Sequence, residues 1–152
     1  MRLTVIAAGR AQDAAYDALW ERYAGRLTPR PTLVRVADKR RAAAGELKRR
    51  EARLLIEALP RDARVVVLDG RGKPLDSAGL ARQLARWRDQ GTGEIAFVIG
   101  GADGLDDSVV ARADLVLSLG AMTWPHHLVR IMLAEQLYRA QTILAGHPYH
   151  RD

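Results

Sequence analysis

Two loops rich in residues without bulky side chains follow short apolar strands in the C-terminal half of the sequence. The first loop, 98–105, contains the pair Gly100-Gly101, and the second loop spans 119–126. Such loops can present their backbone N–H and C=O groups directly to a ligand, and ligands of α/β proteins bind beyond the carboxyl ends of strands. Because the two loops lie close in sequence, we predict that they share one binding site.

The elements that would position these loops alternate between apolar strands and amphipathic helices. Apolar, largely β-branched runs predict strands at 3–7, 33–36, 65–68, 95–99 and 115–117. Apolar residues at helical spacing predict helices between them, through 16–27, 47–59 and 80–87. This β-α alternation predicts an α/β fold with a mostly parallel sheet flanked by helices. No linker or low-complexity stretch interrupts it, so we expect a single domain over 1–152.

The last predicted helix, from His127 to about Ala145, differs from the others. Its apolar residues, among them Leu128, Met132 and Leu137, are spread around much more than one stripe. A helix that is apolar on two sides needs two burial partners, typically its own sheet and another subunit. We therefore expect a homodimer; the alternative is a central helix covered wholly by its own chain.

Composition limits the possible functions. The 152 residues include no cysteine, which excludes disulfides, thiolate metal sites and covalent cysteine mechanisms. Lys and Arg total 24 against 18 Asp and Glu, and the resulting charge of +6 favours an anionic partner such as nucleic acid. The sequence shows no leader, and none of its apolar runs approaches the ~18 residues that a membrane span needs. We therefore expect a cytoplasmic protein without membrane contact.

Several common motifs are missing. The segment 100–104 lacks the G-x-G-x-x-G of dinucleotide-binding folds, and 70–74 lacks the spacing and hydroxyl of a P-loop. Ser118 lacks the G-x-S-x-G turn of a hydrolase. A zinc site built on His147 and His150 would need further ligands, so we expect no metal.

Two kinds of segment could contact RNA. The tail 147–151 interleaves aromatic, imidazole and guanidinium groups that can stack on bases and contact phosphates, and its alternative is a disordered polar terminus. The basic runs 39–41 and 48–50 could follow RNA phosphates or form a solvated helix face.

Taken in order, the motifs of this chain resemble one family over the whole length. The segments that carry the resemblance are 7–10, 68–73, 97–105, 117–126, 128–130, 135–140 and 148–151. Together they resemble the SPOUT-class RNA methyltransferases, and within that class the ribosomal RNA large subunit methyltransferase H family.

The resemblance implies a specific fold and activity. It implies a C-terminal trefoil knot, a homodimer, and S-adenosylmethionine bound in the knot. It also implies methylation of N3 of a pseudouridine in a stem-loop of 23S ribosomal RNA, within the large subunit or the whole ribosome. Carried over by position, the cofactor contacts would be Leu68, Gly100, Gly101, Leu119, Gly120, Ala121, Met122, Thr123 and Trp124.

Methylation at N3 needs a group that removes a weakly acidic imide proton or stabilises the resulting anion. Histidine and arginine suit this task, and the candidates are His126, Arg130, Arg139, His150 and Arg151. Two alternatives to the enzyme stay open from the sequence. They are a ribosome-binding protein that keeps the fold without turnover, and a flavodoxin-type domain that binds a small molecule.

Overall fold

The computed structural model describes residues 1–9 and 12–151; Arg10, part of the first motif above, lies outside this range. Strands and helices alternate along the described chain. In order they are β1 (Arg2–Ala8), α1 (Ala14–Ala24), β2 (Thr32–Val36), α2 (Ala44–Glu57), β3 (Arg64–Pro74), α3 (Ser77–Asp89), β4 (Glu94–Ile99), α4 (Asp107–Val110), β5 (Leu115–Ser118) and α5 (His126–Leu144).

The five strands form one sheet in the order β2-β1-β4-β3-β5, and every pair of neighbours is parallel. The predicted α/β fold with a mostly parallel sheet flanked by helices is thus confirmed. The trefoil knot implied by the resemblance stays a prediction.

Helices cover both faces of the sheet. Buried side chains from α1, α3 and α5 pack on one face around Phe97, and those from α2 and α4 pack on the other face around Val98. Both faces of the strands are therefore buried, as their continuous apolar sequence predicts. No helix among residues 1–9 and 12–151 is long and apolar enough to cross a membrane.

Strand β3 is longer than the predicted 65–68, and it pairs with β5 twice. Leu117 is the partner of Leu68 and, after a shift in register, also of Lys73. Between these two pairings the chain leaves β5, and it returns to β5 at Gly72. A Cβ atom on Gly72 would lie 2.6 Å from the backbone of Val116. Only glycine permits this approach, so a tertiary contact extends the strand beyond its apolar run.

The short helix α4 was not predicted. At four residues it is too brief to show helical periodicity. Its local signal is Asp106, whose side chain accepts a hydrogen bond from the backbone N–H of Ser108 at the helix N-terminus.

A buried arginine joins α5 to α1. The side chain of Arg130 is 3% exposed, and its Nη2 donates to Oδ1 of Asp17 at 2.9 Å. Asp17 also binds Arg35 on β2. Burial lowers the pKa of Arg130, and the positive charge of Arg35 lowers it further, against the opposing effect of Asp17. Asp17 is thus the carboxylate that compensates a buried cation.

Replacing Asp17 by Asn should destabilise the protein by about 2–3 kcal/mol, because the buried guanidinium of Arg130 loses its counter-charge. Glu21→Gln is the matched control, since Glu21 lies on the same helix and its partner Arg30 is exposed. The control should change stability by less than about 1 kcal/mol. Denaturant unfolding of both variants checks this, and equal losses would contradict the role given to Asp17.

Candidate active site

The carboxyl ends of three adjacent strands, β4, β3 and β5, surround a cavity of about 350 Å³. We call it the glycine-loop cavity. All nine residues predicted to contact a cofactor line it. They come from the end of the apolar part of β3, the start of the loop after β4 and the loop after β5. They are Leu68, Gly100, Gly101, Leu119, Gly120, Ala121, Met122, Thr123 and Trp124. The structure brings the two loops to one place, and the cofactor role of these residues stays a prediction.

The first loop is a tight turn built around glycine. The backbone N–H of Gly104 donates to the carbonyl of Gly101 at 3.1 Å. A Cβ atom at Gly100 would lie 2.8 Å from Cγ of Leu105 and 3.0 Å from the Gly104 carbonyl. Position 100 therefore has no room for a side chain. Because the residue there is glycine, its backbone lines the cavity directly.

The second loop is held by its own hydrogen bonds. Gly120 has a φ of +108°, and a Cβ atom there would meet no other atom within 4 Å. Its N–H donates to Oγ of Ser118, whose hydroxyl donates to the Gly120 carbonyl. Trp124 Nε1 donates to the carbonyl of Leu119. These contacts define the loop while leaving open space beside Gly120.

Asp69 is a polar wall residue of the cavity that the sequence analysis missed. It accepts hydrogen bonds from Nε and Nη2 of Arg71, and these bonds hold its pKa below the usual range for aspartate. Its position directly after the apolar part of β3 is the signal that would have identified it.

His126 lies at the mouth of the glycine-loop cavity, in the first turn of α5. A Cβ atom on Gly9 would lie 3.1 Å from His126 Nε2, so the end of β1 packs directly on the imidazole. Burial lowers the pKa of His126, and the neighbouring His127 and Arg130 lower it further. This lowered pKa favours the uncharged imidazole, the form that can accept a proton.

The other candidates for proton chemistry lie elsewhere. Arg130 is buried on Asp17 and is not among the cavity-lining residues. Arg139 donates to Oε1 of Glu135 through Nε and Nη2, and its Nη1 lies 3.3 Å from Nδ1 of His150. Arg151, next along the tail, is exposed.

The tail packs on α5 through Tyr149. The Tyr149 hydroxyl donates to Oε1 of Glu135, and its ring lies under the Arg139 guanidinium at 4.9 Å and edge-on to Tyr138. Burial raises the pKa of Tyr149, and the Glu135 carboxylate raises it further. The hydrogen bond to Glu135 raises the pKa of Arg139. We refer to Glu135, Arg139, Tyr149 and His150 as the tail cluster.

Within one chain, the tail cluster lies far from His126. Arg139 is about 20 Å along the α5 axis from His126, at about 1.5 Å per residue. A groove of about 660 Å³ beside α5, the α5 groove, is lined by Glu135 of the tail cluster and by Leu119 and Gly120 of the glycine-loop cavity. The candidates thus form two groups, one at the first turn of this helix and one along its second half with the tail.

No group of three or more His, Asp or Glu side chains arranged to hold a metal ion occurs among residues 1–9 and 12–151. The basic runs are partly neutralised by neighbouring acids, since Arg40 binds Asp38 and Arg50 binds Glu46. The hydrogen bonds and charge of Arg40 hold the pKa of Asp38 well below its usual range. Arg41 and Arg49 are exposed.

NMR titration of His126 should give a pKa below the ordinary value of about 6.5, because the native environment disfavours its charged form. As the pH falls below about 6.5, the unfolded chain binds this proton first, so the free energy of unfolding should decrease. His126→Gln should lessen that decrease. A pKa at or above 6.5, or an unchanged pH dependence in the variant, would contradict the burial argument.

Comparison with known proteins gives matches over essentially the whole chain. The family described as "Predicted SPOUT methyltransferase" matches residues 1–150. A protein of Rhodospirillum centenum named "Ribosomal RNA large subunit methyltransferase H" is 58% identical over 151 residues, 99% of each chain. A protein of the same name from Paramagnetospirillum magneticum is 52% identical over 151 residues, again 99% of each chain.

A solved structure gives the same fold at much lower identity. A probable methyltransferase from Bordetella pertussis superposes with a TM-score of 0.60 at 18% identity, covering 91% of this chain and 95% of its own. The shared fold agrees with the full-length sequence matches, which establish the family. This chain belongs to the ribosomal RNA large subunit methyltransferase H family of SPOUT methyltransferases.

Proposed function

We propose that this protein transfers a methyl group from S-adenosylmethionine to N3 of a pseudouridine in a stem-loop of 23S ribosomal RNA, on the assembled ribosome in the cytoplasm. The observation that carries the proposal is the convergence of nine family-matched residues on one cavity at the carboxyl ends of three strands. Relatives of the same length are named for methylation of large-subunit ribosomal RNA. The charge of +6 suits an RNA substrate.

The glycine-loop cavity fits the proposed cofactor in size and lining. Its 350 Å³ lies within the range of about 300–1,000 Å³ that is usual for small-molecule sites. Leu68, Ile99 and Leu117 supply apolar walls, while the two loops expose backbone groups that can recognise an adenine edge. When bound there, S-adenosylmethionine would supply an electrophilic methyl group activated by its sulfonium, and no metal is needed.

The chain's own residues would manage the proton of the acceptor. The imide N3–H must be lost for N3 to act as a nucleophile, and a neutral imidazole near the methyl group can accept that proton. His126 is our candidate for this role, since it lines the cavity and its lowered pKa favours the neutral imidazole. The guanidinium groups of Arg139 and Arg151 would stabilise the imide anion or hold RNA phosphates.

Two subunits would bring these groups together. His126 and Arg139 are about 20 Å apart along α5 in one chain, too far to contact one base. Exposed apolar side chains at the cavity, Met122 at 73% and Trp124 at 38%, give a surface suited to a second copy. Leu128 and Met132 on α5 are half-buried and extend this surface. We infer a homodimer in which the tail cluster of one subunit faces the glycine-loop cavity of the other.

Calorimetry with S-adenosylhomocysteine, followed by methyl transfer to ribosomes that lack the modification, tests the proposed function. We expect micromolar or tighter binding and one methyl group per ribosome at N3 of the pseudouridine. Binding to ribosomes without cofactor binding would favour the non-catalytic ribosome-binding protein. Binding of a different small molecule, with no affinity for ribosomes, would favour the flavodoxin-type domain.

Replacing Gly120 by Ala should weaken S-adenosylhomocysteine binding about tenfold or more, because the backbone at φ +108° resists a side chain and the added methyl group would occupy the open space beside this cavity-lining residue. Gly91→Ala is the matched control. Gly91 has a φ of +82° and equally open surroundings, but it lies between α3 and β4, away from the cavity.

Both glycine variants should lose about 1 kcal/mol of stability to backbone strain. Only Gly120→Ala should lose cofactor affinity in calorimetry. Equal affinity in the two variants would place the cofactor elsewhere.

A further inference from the structure

A second cavity, of about 520 Å³, adjoins the glycine-loop cavity. The two share Gly101, Ala102 and His126 in their linings. We call the second one the α2 cavity, because Glu51 of α2 lines it together with Arg40 and Arg41 of the preceding segment. A molecule in the α2 cavity would therefore lie next to whatever occupies the glycine-loop cavity.

Glu51 is a carboxylate of the α2 cavity that packs against the glycine turn, and Asp38 and Asp103 are the other carboxylates in the lining. Its Oε2 lies 3.0 Å from the position that a Cβ atom on Gly101 would take. Burial raises the pKa of Glu51, and the negative charges of Asp103 and Asp38 raise it further. The neighbouring arginines bind other acids, Arg40 with Asp38 and Arg50 with Glu46. A ligand that donates a hydrogen bond would offset the burial of this carboxylate.

Two histidines and the exposed Arg41 of the lining suit a nucleotide. The rings of His126 and His127 lie 4.2 Å apart, and Tyr16, which lies outside the lining, stacks on His127 at 5.5 Å. Such a group of planar rings can stack on an unpaired base. At the rim, Arg41 is exposed and can reach a phosphate.

The chemistry of the base selects what Glu51 can recognise. A carboxylate only accepts hydrogen bonds, so on a uracil-type ring it can bind a ring N–H but not a carbonyl oxygen. Uridine has one ring N–H, at N3, because its N1 bears the ribose. Pseudouridine is joined to ribose through carbon and keeps a second ring N–H, at N1. A carboxylate beside the methyl-transfer site can thus distinguish the two bases.

We propose that the α2 cavity receives the acceptor nucleotide and that Glu51 accepts a hydrogen bond from N1–H of the pseudouridine. This inference rests on the proposed function and adds to it the residue that selects pseudouridine over uridine. His127 then stacks on the base, His126 stays available for the N3 proton, and Arg41 contacts the RNA backbone.

The test compares Glu51→Gln with Glu57→Gln, an exposed residue on the same helix. Substrates are ribosomes carrying either pseudouridine or uridine at the target position, and kcat/KM is measured on both. Wild type should prefer pseudouridine. Glu51→Gln should reduce kcat/KM on pseudouridine by about tenfold, with little change on uridine, because a neutral amide oxygen accepts a weaker hydrogen bond than a carboxylate. Glu57→Gln should behave as wild type.

A purely electrostatic effect of Glu51→Gln would strengthen RNA binding instead of weakening the reaction on pseudouridine. Removing a negative charge from a basic surface strengthens RNA binding, so a selective loss on pseudouridine cannot arise from net charge. Arg41→Ala should weaken affinity for both ribosomes alike and reduce the slope of log affinity against log salt by about 0.7–0.9. Arg86→Ala, an exposed arginine on α3 across the sheet, is its matched control and should leave both quantities unchanged.

Binding of S-adenosylhomocysteine and thermal unfolding distinguish base recognition by Glu51 from a structural role of the same side chain. Both should be nearly unchanged in Glu51→Gln. A loss of cofactor affinity would instead assign Glu51 to support of the glycine turn, and an unchanged preference for pseudouridine would remove it from base recognition; either overturns the inference.

If wild type neither binds S-adenosylhomocysteine nor methylates ribosomes, the proposed function itself fails. If Glu51→Gln unfolds, Glu51→Asp, which keeps the charge and withdraws it by one methylene, must show a reduced preference.

Discussion

The parallel pairing of β3 with both β4 and β5 is the constraint on which the site depends. It places the carboxyl ends of β4 and β5 on either side of Leu68 and Asp69 in β3, so that the loops after β4 and β5 meet in one cavity. Gly72 makes the second contact between β3 and β5 possible, since its Cα lies against the backbone of Val116. Without that close approach, the end of β3 would not remain beside the loop after β5.

Helix α5 carries the chemistry but separates it. Its first turn holds His126 beside the cavity, Arg130 fixes it to α1 through Asp17, and its later turns hold the tail cluster. The distance of about 20 Å along α5 between His126 and Arg139 gives the proposed dimer a chemical reason beyond the burial of apolar surface. The lowered pKa of His126 follows from the same arrangement, since burial and the neighbouring His127 and Arg130 oppose its protonation.

Local pattern was enough to predict the sheet and the shared loops, because buried parallel strands are continuous apolar runs and glycine pairs mark close backbone approach. The second half of β3 was missed because Lys73 and Pro74 are poor strand formers that pair only through a tertiary contact. The burial of Arg130 was equally hidden, since its partner Asp17 lies at the other end of the sequence. The packing of Glu51 against Gly101 was likewise hidden, because it is a tertiary contact between α2 and the loop after β4.

The central claim is that one active site is built from two subunits, and mixing two inactive variants tests it most directly. His126→Ala and His150→Ala are each expected to lose methylation of ribosomes. In a mixed dimer one site would carry both substitutions and the other neither, so subunit exchange in an equal mixture should restore about one quarter of the wild-type sites. If each site lay within one subunit, every site in the mixture would still carry one substitution and no activity would return. A mixture that recovers no activity would therefore contradict the shared active site.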